Sequence, residues 1–553
     1  MNVIEVATQA YQDQKPGTSG LRKRVAVFQQ PNYVENFVQA LLEATSKPKF
    51  LVVGGDGRFY SEEAIKKIVN VCAANGTERL VIAKDGILST PAASALIRCM
   101  KADGGIVLTA SHNLGGKDGD FGIKYNTNNG GPAPEVVTEK IYERSKSITS
   151  YKSLLKRSQV DLSKVNSFMV ANLTVDVVDP IEEYLNLVRK VFDFNQIKRL
   201  FSRQAEGKSP FKMLADSMNG VTGPYTRRIL VEELGAPLSS IVNFQPMPDF
   251  GGKHPDPNLT YASDLVDTLK SDHSIDFGVA FDGDGDRNMI LGKDAFFVTP
   301  GDSLAVIGAQ IKHIKYFADN GFQGFARSFP TAPAIDRVAQ HHGVKCYETP
   351  TGWKYFGNLM DSGSISLCGE ESFGTGSNHI REKDGIWACL AWLSIMAGTE
   401  KTVRELVEDH WKQFGRDYFC RYDFEECDAV KCQAMINELE LLLGGKSLIG
   451  RSFGSKSQYV VKETGNFEYV DPIDKSISSK QGLFVKFTNG ARIVIRLSGT
   501  GSSGATVRLY VSDYSKDSIR EDSQVYLKEL LEIAYSISKL PEYTGRDRPT
   551  VIT

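Results

Sequence analysis

One pattern of apolar and polar positions recurs along the chain. A short apolar run ends in a loop rich in Gly, Asp or Ser, and a segment with helical periodicity follows. The pattern occurs at 50–57 (FLVVGGDG), 106–116 (IVLTASHNLGG), 212–220 (KMLADSMNG), 277–286 (FGVAFDGDGD) and 324–331 (GFARSFPT). Short apolar strands alternating with helices predict parallel α/β sheets. In such sheets ligands bind at the loops beyond the carboxyl ends of the strands. From about residue 415 the pattern changes. Runs at 483–487 and 492–497 flank Thr488-Asn489-Gly490, a hairpin signal, and 506–511 predicts a further strand. Residues 523–538 have helical periodicity. A smaller α+β domain is expected there. The longest apolar run, 386–398 (IWACLAWLSIMAG), has 13 residues. A bilayer span needs about 20, so this run predicts a buried helix.

Size and charge narrow the class. The chain has 553 residues, enough for about three to five domains. Its 65 basic and 67 acidic residues leave a formal net charge of −2. Nothing in that balance points to a nucleic acid or a membrane, and an anionic ligand would have to be held by a local cluster. The eight cysteines form no C-x-x-C pair and no zinc-like spacing, which reads as reduced thiols. No basic start followed by an apolar run is present at the N-terminus, so the expected location is the cytoplasm.

Four motifs carry candidate chemistry. In 109–126 (TASHNLGGKDGDFGIKYN) a strand is expected to end in Ser111, beside His112 and before Gly115-Gly116. A hydroxyl on such a loop can be a nucleophile or a phosphate carrier, and a polar turn with a capping serine would look the same. In 281–288 (FDGDGDRN), Asp282, Asp284 and Asp286 alternate, so an extended backbone would turn all three to one face. Hard oxygen ligands suit Mg²⁺. An EF-hand is excluded, because its sixth position is Arg287 rather than Gly and its twelfth is Lys293 rather than Glu. An exposed acidic turn is the plainer alternative.

In 368–385 (CGEESFGTGSNHIREKDG), Glu370, Glu371, Ser372 and Asn378 offer groups for sugar hydroxyls, and Arg381 and Lys383 add positive charge. A solvated charged loop has the same composition. In 496–510 (RLSGTGSSGATVRLY), Arg496, Ser498, Thr500 and Arg508 surround Gly499, Gly501 and Gly504. Guanidinium forks, hydroxyls and backbone amides make an anion cradle. It lacks the Gly-Lys-Ser/Thr of a nucleotide-binding P-loop, and a flexible Ser/Gly loop is the alternative.

Taken jointly, TASHN, DGDGDR, TPTGWKYFGNLM, GEESFGTGS and RLSGTG resemble the α-D-phosphohexomutase superfamily, from KPGTSGLRKRV near the start to TGRDRPTVIT at the end. GEESFGTGSNHIREKDG is similar to the glucose-type branch. The resemblance implies four domains around a central cleft: three similar α/β domains with mixed sheets at 1–185, 186–298 and 299–414, and the α+β domain at 415–553. It implies that Ser111 is a phosphoserine and that Asp282, Asp284 and Asp286 hold one Mg²⁺ together with it. By the same match, Thr351, Gly352, Glu370 and Ser372 contact the sugar, and Arg496, Ser498, Gly499, Thr500 and Arg508 hold the non-reacting phosphate. Thr18, Ser19, Arg22, His112, Lys124, Arg287 and Lys383 match further active-site positions. One departure is Leu114, where the family usually has proline; losing that constraint is expected to loosen the loop at Asn113.

The implied activity moves phosphate between O1 and O6 of glucose, through glucose 1,6-bisphosphate as intermediate and activator. Lys383 or His112 would handle the proton. Small sugar phosphates are the expected partners, and the chain is expected to be a monomer or weak dimer. A mutase for mannose or an N-acetylated sugar is one alternative. A non-catalytic relative is another, and it would show damage at the serine, the aspartates or the clamp.

Overall fold

A computed structural model describes residues 2–17, 19–156, 158–203, 207, 209–498 and 504–553. Four large sheets organise it. The first has seven strands in the order Leu21–Arg24, Asp120–Thr127, Gly104–Leu108, Phe50–Gly55, Arg79–Ile87, Leu173–Val178, Asn166–Val170. Its four strands from Gly104–Leu108 to Leu173–Val178 are mutually parallel, and antiparallel pairs flank them. The second has five strands around Met213–Asp216 and Phe277–Phe281, and the third has four around Gly324–Ser328 and Ile365–Glu370. Both are mixed in the same way. The fourth is a seven-stranded antiparallel sheet. Each apolar run of the recurring pattern is therefore a buried strand.

The three mixed sheets share one device. Their last parallel strand returns through a short link into an antiparallel neighbour: Gly104–Leu108 into Asp120–Thr127, Phe277–Phe281 into Asn288–Gly292, and Ile365–Glu370 into Gly374–Ser377. The links 109–119, 282–287 and 371–373 are the three chemical motifs. In the fourth sheet the anion motif likewise joins two antiparallel strands, Arg492–Ser498 and Ala505–Ser515. All four motifs lie at strand ends, as expected for ligand-binding loops.

Helices cover the mixed sheets. Thr90–Met100 starts on Ser89, whose side chain accepts from the Ala92 amide, with Pro91 in its first turn. Gly385–Thr399 starts on Asp384, which accepts from the Trp387 amide, and it is buried on every side from Gly385 to Met396. It belongs to one apolar core that also includes Tyr184, Phe277 and Leu304, so the middle of the chain packs as a continuous body. No helix among the described residues is long and apolar enough to cross a membrane. One expected helix is broken: 523–538 forms Ser523–Tyr526 and Lys528–Ser538, with the break at Leu527, which is fully buried.

The last sheet rests on the third. Arg492 Nη1 donates to the Phe329 carbonyl at 2.7 Å and Nη2 to the Thr331 carbonyl at 2.7 Å. The Phe329 ring stacks on Phe467 at 4.1 Å.

Candidate active site

Ser111 is the third residue beyond the end of Gly104–Leu108, so the strand stops earlier than its apolar pattern suggests. It sits in a turn at φ +53°, in the left-handed region that non-glycine residues rarely adopt. Both of its backbone polar groups are tied down. Its amide donates to Thr109 Oγ1 at 2.7 Å, and its carbonyl accepts from Arg58 Nη2 at 2.8 Å. Arg58 also donates to the Asp120 carbonyl and pairs with Asp56 at 3.0 Å, both side chains being fully buried. Asp56 in turn accepts from Thr109 Oγ1 at 2.6 Å. The strained serine is therefore held by a buried ion pair that no motif reading included.

Gly115 is required by close packing. A Cβ there would meet the Phe250 ring and the Pro248 carbonyl at 2.8 Å. The loosening expected from Leu114 is not seen at Asn113: Asn113 Nδ2 donates to Asp120 Oδ2 at 2.8 Å, and the Leu114 carbonyl accepts from the Asp120 amide.

The three aspartates converge, but not by extended alternation. The strand ends at Phe281, and 282–286 form a turn in which Gly285 takes φ +78° and its amide donates to the Asp282 carbonyl. A turn brings carboxylates closer than alternation along a strand, where like-facing residues stand about 6.5 Å or more apart. One carboxylate oxygen from each of Asp282, Asp284 and Asp286 lies within 4.8 Å of the others. All three residues are buried.

Asp284 Oδ2 accepts from Thr90 Oγ1 at 2.7 Å, and Asp282 Oδ2 accepts from Ser111 Oγ at 2.8 Å. Asp284 Oδ1 and Asp286 Oδ1 are buried without a hydrogen-bond partner among the described residues. Burial, with the neighbouring Asp284 and Asp286 carboxylates, pushes Asp282 well above the usual carboxylate range. Three crowded carboxylates with orphaned oxygens and a serine hydroxyl are the donor set of a hard divalent cation, and Mg²⁺ fits it.

His112 Nδ1 is 3.3 Å from Ser111 Oγ. Burial first, then Arg287, Arg22, Arg508 and Lys383, hold His112 well below its ordinary value, so it is neutral. Lys383 Nζ lies 3.1 Å from Asp286 Oδ2. Burial, the largest influence, would lower its pKa, but Asp286, Glu370 and Asp282 together turn the net direction upward, so it is protonated.

A cavity of about 480 Å³ opens beside these groups. Ser19, Arg22 and Lys124 line it from the first sheet's side, and Asp286 and Arg287 from the aspartate turn. Thr351, Gly352, Glu370, Ser372 and Lys383 line it from the third sheet, and Arg496, Ser498 and Arg508 from the fourth. Ser111 is buried and does not line it; Asp286 is the member of the aspartate cluster that does. The Gly352 amide donates to Glu370 Oε1 at 2.8 Å, which orients one sugar-motif carboxylate. Lys124 is ion-paired with buried Glu382. A larger groove of about 870 Å³, lined by Val136, Tyr355 and Ile477 among others, carries none of these groups.

Thr18, Gly499 and Thr500 lie outside the described residues. Two residues of the sugar motif do other work. Arg381 is bound by Asp361 at 2.6 Å and by the Asn378 and Ile380 carbonyls, so its charge is consumed structurally. Glu371 turns toward Ser328, at 2.8 Å. Sequence reasoning missed Asp56, Arg58, Thr90, Glu382 and Asp423. They lie far from the groups they support; the FLVVGGDG stretch at 50–57 contains Asp56 and the 368–385 motif contains Glu382, while nothing in the sequence signalled Arg58, Thr90 or Asp423.

Comparison with known proteins decides the family. Models of the phosphoglucomutase/phosphomannomutase α/β/α domains I, II and III match residues 13–152, 182–295 and 300–414, and a model of the phosphoglucomutase-1 C-terminal domain matches 416–550. The chain belongs to the phosphoglucomutase/phosphomannomutase family. It is 56% identical to phosphoglucomutase 1 of Drosophila melanogaster and 55% identical to phosphoglucomutase-1 of Homo sapiens, each over all of both chains. The open form of the Paramecium exocytosis-sensitive phosphoprotein parafusin, a phosphoglucomutase, superposes with a TM-score of 0.88 at 45% identity, covering 100% of this chain and 99% of that one. The four-domain architecture is thus that of the family. Domain I carries Ser111, domain II the aspartate turn, domain III the sugar motif and the C-terminal domain the arginines.

Proposed function

We propose that the protein is a phosphoglucomutase, interconverting α-D-glucose 1-phosphate and glucose 6-phosphate through a phosphoserine at Ser111. The observation that carries this reading is the position of Ser111 Oγ, 2.8 Å from Asp282 of an aspartate cluster whose Asp286 lines the same cavity as Arg496 and Arg508. Full-length similarity to phosphoglucomutases supports the choice of sugar.

Asp282, Asp284 and Asp286 would hold Mg²⁺ together with an oxygen of the serine phosphate. The cation would offset their charge and draw electron density from the transferring phosphoryl group. In the first half-reaction the O6 hydroxyl of glucose 1-phosphate attacks phosphorus. The P–Oγ bond to Ser111 breaks, the P–O6 bond forms, and the hydroxyl proton passes through a protein base to the departing Ser111 Oγ. His112, neutral and 3.3 Å from Ser111 Oγ, would serve as that base, whereas Lys383, held protonated beside Asp286, could only donate a proton. Glucose 1,6-bisphosphate then turns over in the cleft. Ser111 Oγ attacks the phosphate at O1, the P–O1 bond breaks, and the proton returns to O1.

Thr351, Gly352, Glu370 and Ser372 would bind the sugar in both orientations. Thr18, Ser19, Arg22, Lys124 and Arg287 would contribute to the walls. Arg496, Ser498, Gly499, Thr500 and Arg508 would hold whichever phosphate is distal. Eight free cysteines suit a reducing compartment such as the cytoplasm.

The test is phosphosite mapping of the purified protein with turnover assays on glucose 1-phosphate and mannose 1-phosphate. Phosphate on Ser111, a preference for glucose and no turnover by Ser111→Ala are expected. An active Ser111→Ala enzyme would sink the covalent mechanism.

A further inference from the structure

The arginines of the C-terminal clamp stand in an unusual arrangement. Arg496 and Arg508 are directly opposite each other on antiparallel strands, where like charges repel. Arg421 is on the next strand, opposite Tyr510, and Asp423 is opposite Arg508. Asp423 answers part of this charge: Oδ1 lies 3.0 Å from Arg421 Nε and Oδ2 lies 3.5 Å from Arg508 Nε.

A second carboxylate comes from domain III. Glu371 is 1% exposed. Its Oε2 accepts from Ser328 Oγ at 2.8 Å and its amide donates to Thr331 Oγ1 at 2.9 Å, on the same loop that Arg492 grips to seat the C-terminal sheet. Its Oε1 has no hydrogen-bond partner among the described residues. Burial would raise its pKa, but Arg496, Ser328, Arg421 and Arg508 together hold it below the usual range, so this unpartnered oxygen belongs to an ionised carboxylate on the loop that seats the clamp's sheet. No ion pair closes between Glu371 and Arg496 among the described residues. Glu371 therefore acts on the clamp through its field, leaving the guanidinium of Arg496 in the cavity wall.

We propose that Glu371 and Asp423 are positioning residues that weaken the hold of the clamp on the distal phosphate, so that the bisphosphate can let go and turn. This rests on the mutase reading above. Arg496 and Arg508 in the cavity wall, with Arg421 behind them and no counter-ions, would bind a phosphate dianion tightly in ground state and intermediate alike, and such uniform binding lowers KM without speeding turnover. Two buried anions leave one net positive charge among these five groups. That is enough to capture the dianion and too little to trap it. Because Glu371 sits between Glu370 and Ser372, the sugar site and the clamp are tuned from one loop.

The test uses Glu371→Gln and Asp423→Asn in the full chain. Binding of inorganic phosphate and of glucose 6-phosphate is measured in a Ser111→Ala background, and turnover is measured in the Ser111 enzyme with Mg²⁺. Each substitution is expected to tighten binding by about tenfold at low salt, less at high salt. KM and kcat are expected to fall together, and less free bisphosphate should be released. Glu371→Asp, which keeps the charge, should restore both constants. Unchanged or weaker phosphate binding in a folded variant overturns the proposal, as does failure of both variants to fold, which would make the carboxylates structural. Loss of the mutase reading would look different: the unaltered enzyme would turn over neither glucose phosphate, while phosphate binding would still report on the clamp.

Discussion

Arg58 donates Nη2 to the carbonyl of Ser111 at 2.8 Å, from a side chain wholly removed from solvent. The contact fixes the orientation of the residue proposed to carry the phosphate. Its partner Asp56 closes the loop through Thr109 to the Ser111 amide. Arg58 also lies over the Phe250 ring, 5.1 Å from its centroid, which ties the serine loop to domain II.

Replacing Arg58 with Met is expected to cost about 3–5 kcal/mol of stability, because Asp56 would be left as a buried unpaired charge. Turnover should fall by about a hundredfold or more, since a displacement of about 1 Å at a reacting group costs that much. Urea melts and steady-state kinetics check both. A folded Arg58→Met enzyme with normal kcat would show that the left-handed serine needs no such support.

The aspartate turn predicts a metal requirement. Excess chelator should stop turnover and Mg²⁺ should restore it. Asp284→Asn should reduce bound metal in equilibrium dialysis and lower activity sharply, because the Asp284 carboxylate belongs to the cluster and its Oδ1 has no hydrogen-bond partner among the described residues. Full activity in chelator would rule the assignment out.

Arg508 lies in the cavity wall, on the C-terminal sheet, whereas Ser111 lies on the loop that follows Gly104–Leu108. Hydrogen bonds to charged groups contribute about 1.5–3 kcal/mol each. Arg508→Ala should therefore lower kcat/KM by about one to two powers of ten. Phosphate on Ser111 should persist, and more free glucose 1,6-bisphosphate should escape during turnover. Retained affinity for both monophosphates without extra release would place the clamp elsewhere.

Asp513 gives a pH signature outside the site. Burial raises its carboxyl from 3.8 to about 6, against the hydrogen bonds from the Tyr514 amide and Tyr459 hydroxyl. The folded-state pKa lies above the unfolded one, so the folded protein holds the proton more tightly. The ionised carboxylate is therefore destabilising above about pH 6, and the penalty disappears as pH falls toward 4. A rise of that size corresponds to up to about 3 kcal/mol. Asp513→Asn should be more stable than the parent at pH 8 and no more stable at pH 4, by chemical denaturation. Equal stability at both pH values would contradict this assignment.

Much of the architecture was legible in the chain because it is written in local periodicity. Five apolar runs became buried strands, and 386–398 became the core of a buried helix. The hairpin at Thr488-Asn489-Gly490 formed, with Gly490 at φ +94°. The site motifs were legible for a related reason: loops that approach phosphate and metal need glycine, acid and hydroxyl at short spacing, and that crowding stands out against an ordinary background.

What the chain by itself did not determine is how distant residues complete one another. Alternation suggested an extended DGDGD, yet a turn at Gly285 gathers the carboxylates, because Thr90 from domain I and the packing of Gly385 against Gly285 fix that backbone. Arg381 and Lys383 are two residues apart and carry the same charge. One is bound to Asp361 and the other faces the aspartates, a difference set by which neighbour each meets in space. Asp56, Arg58 and Glu371 look like ordinary loop and motif residues in sequence. Only the fold buries them, and burial in a low-dielectric interior is what turns a charged side chain into a strong constraint on its neighbours.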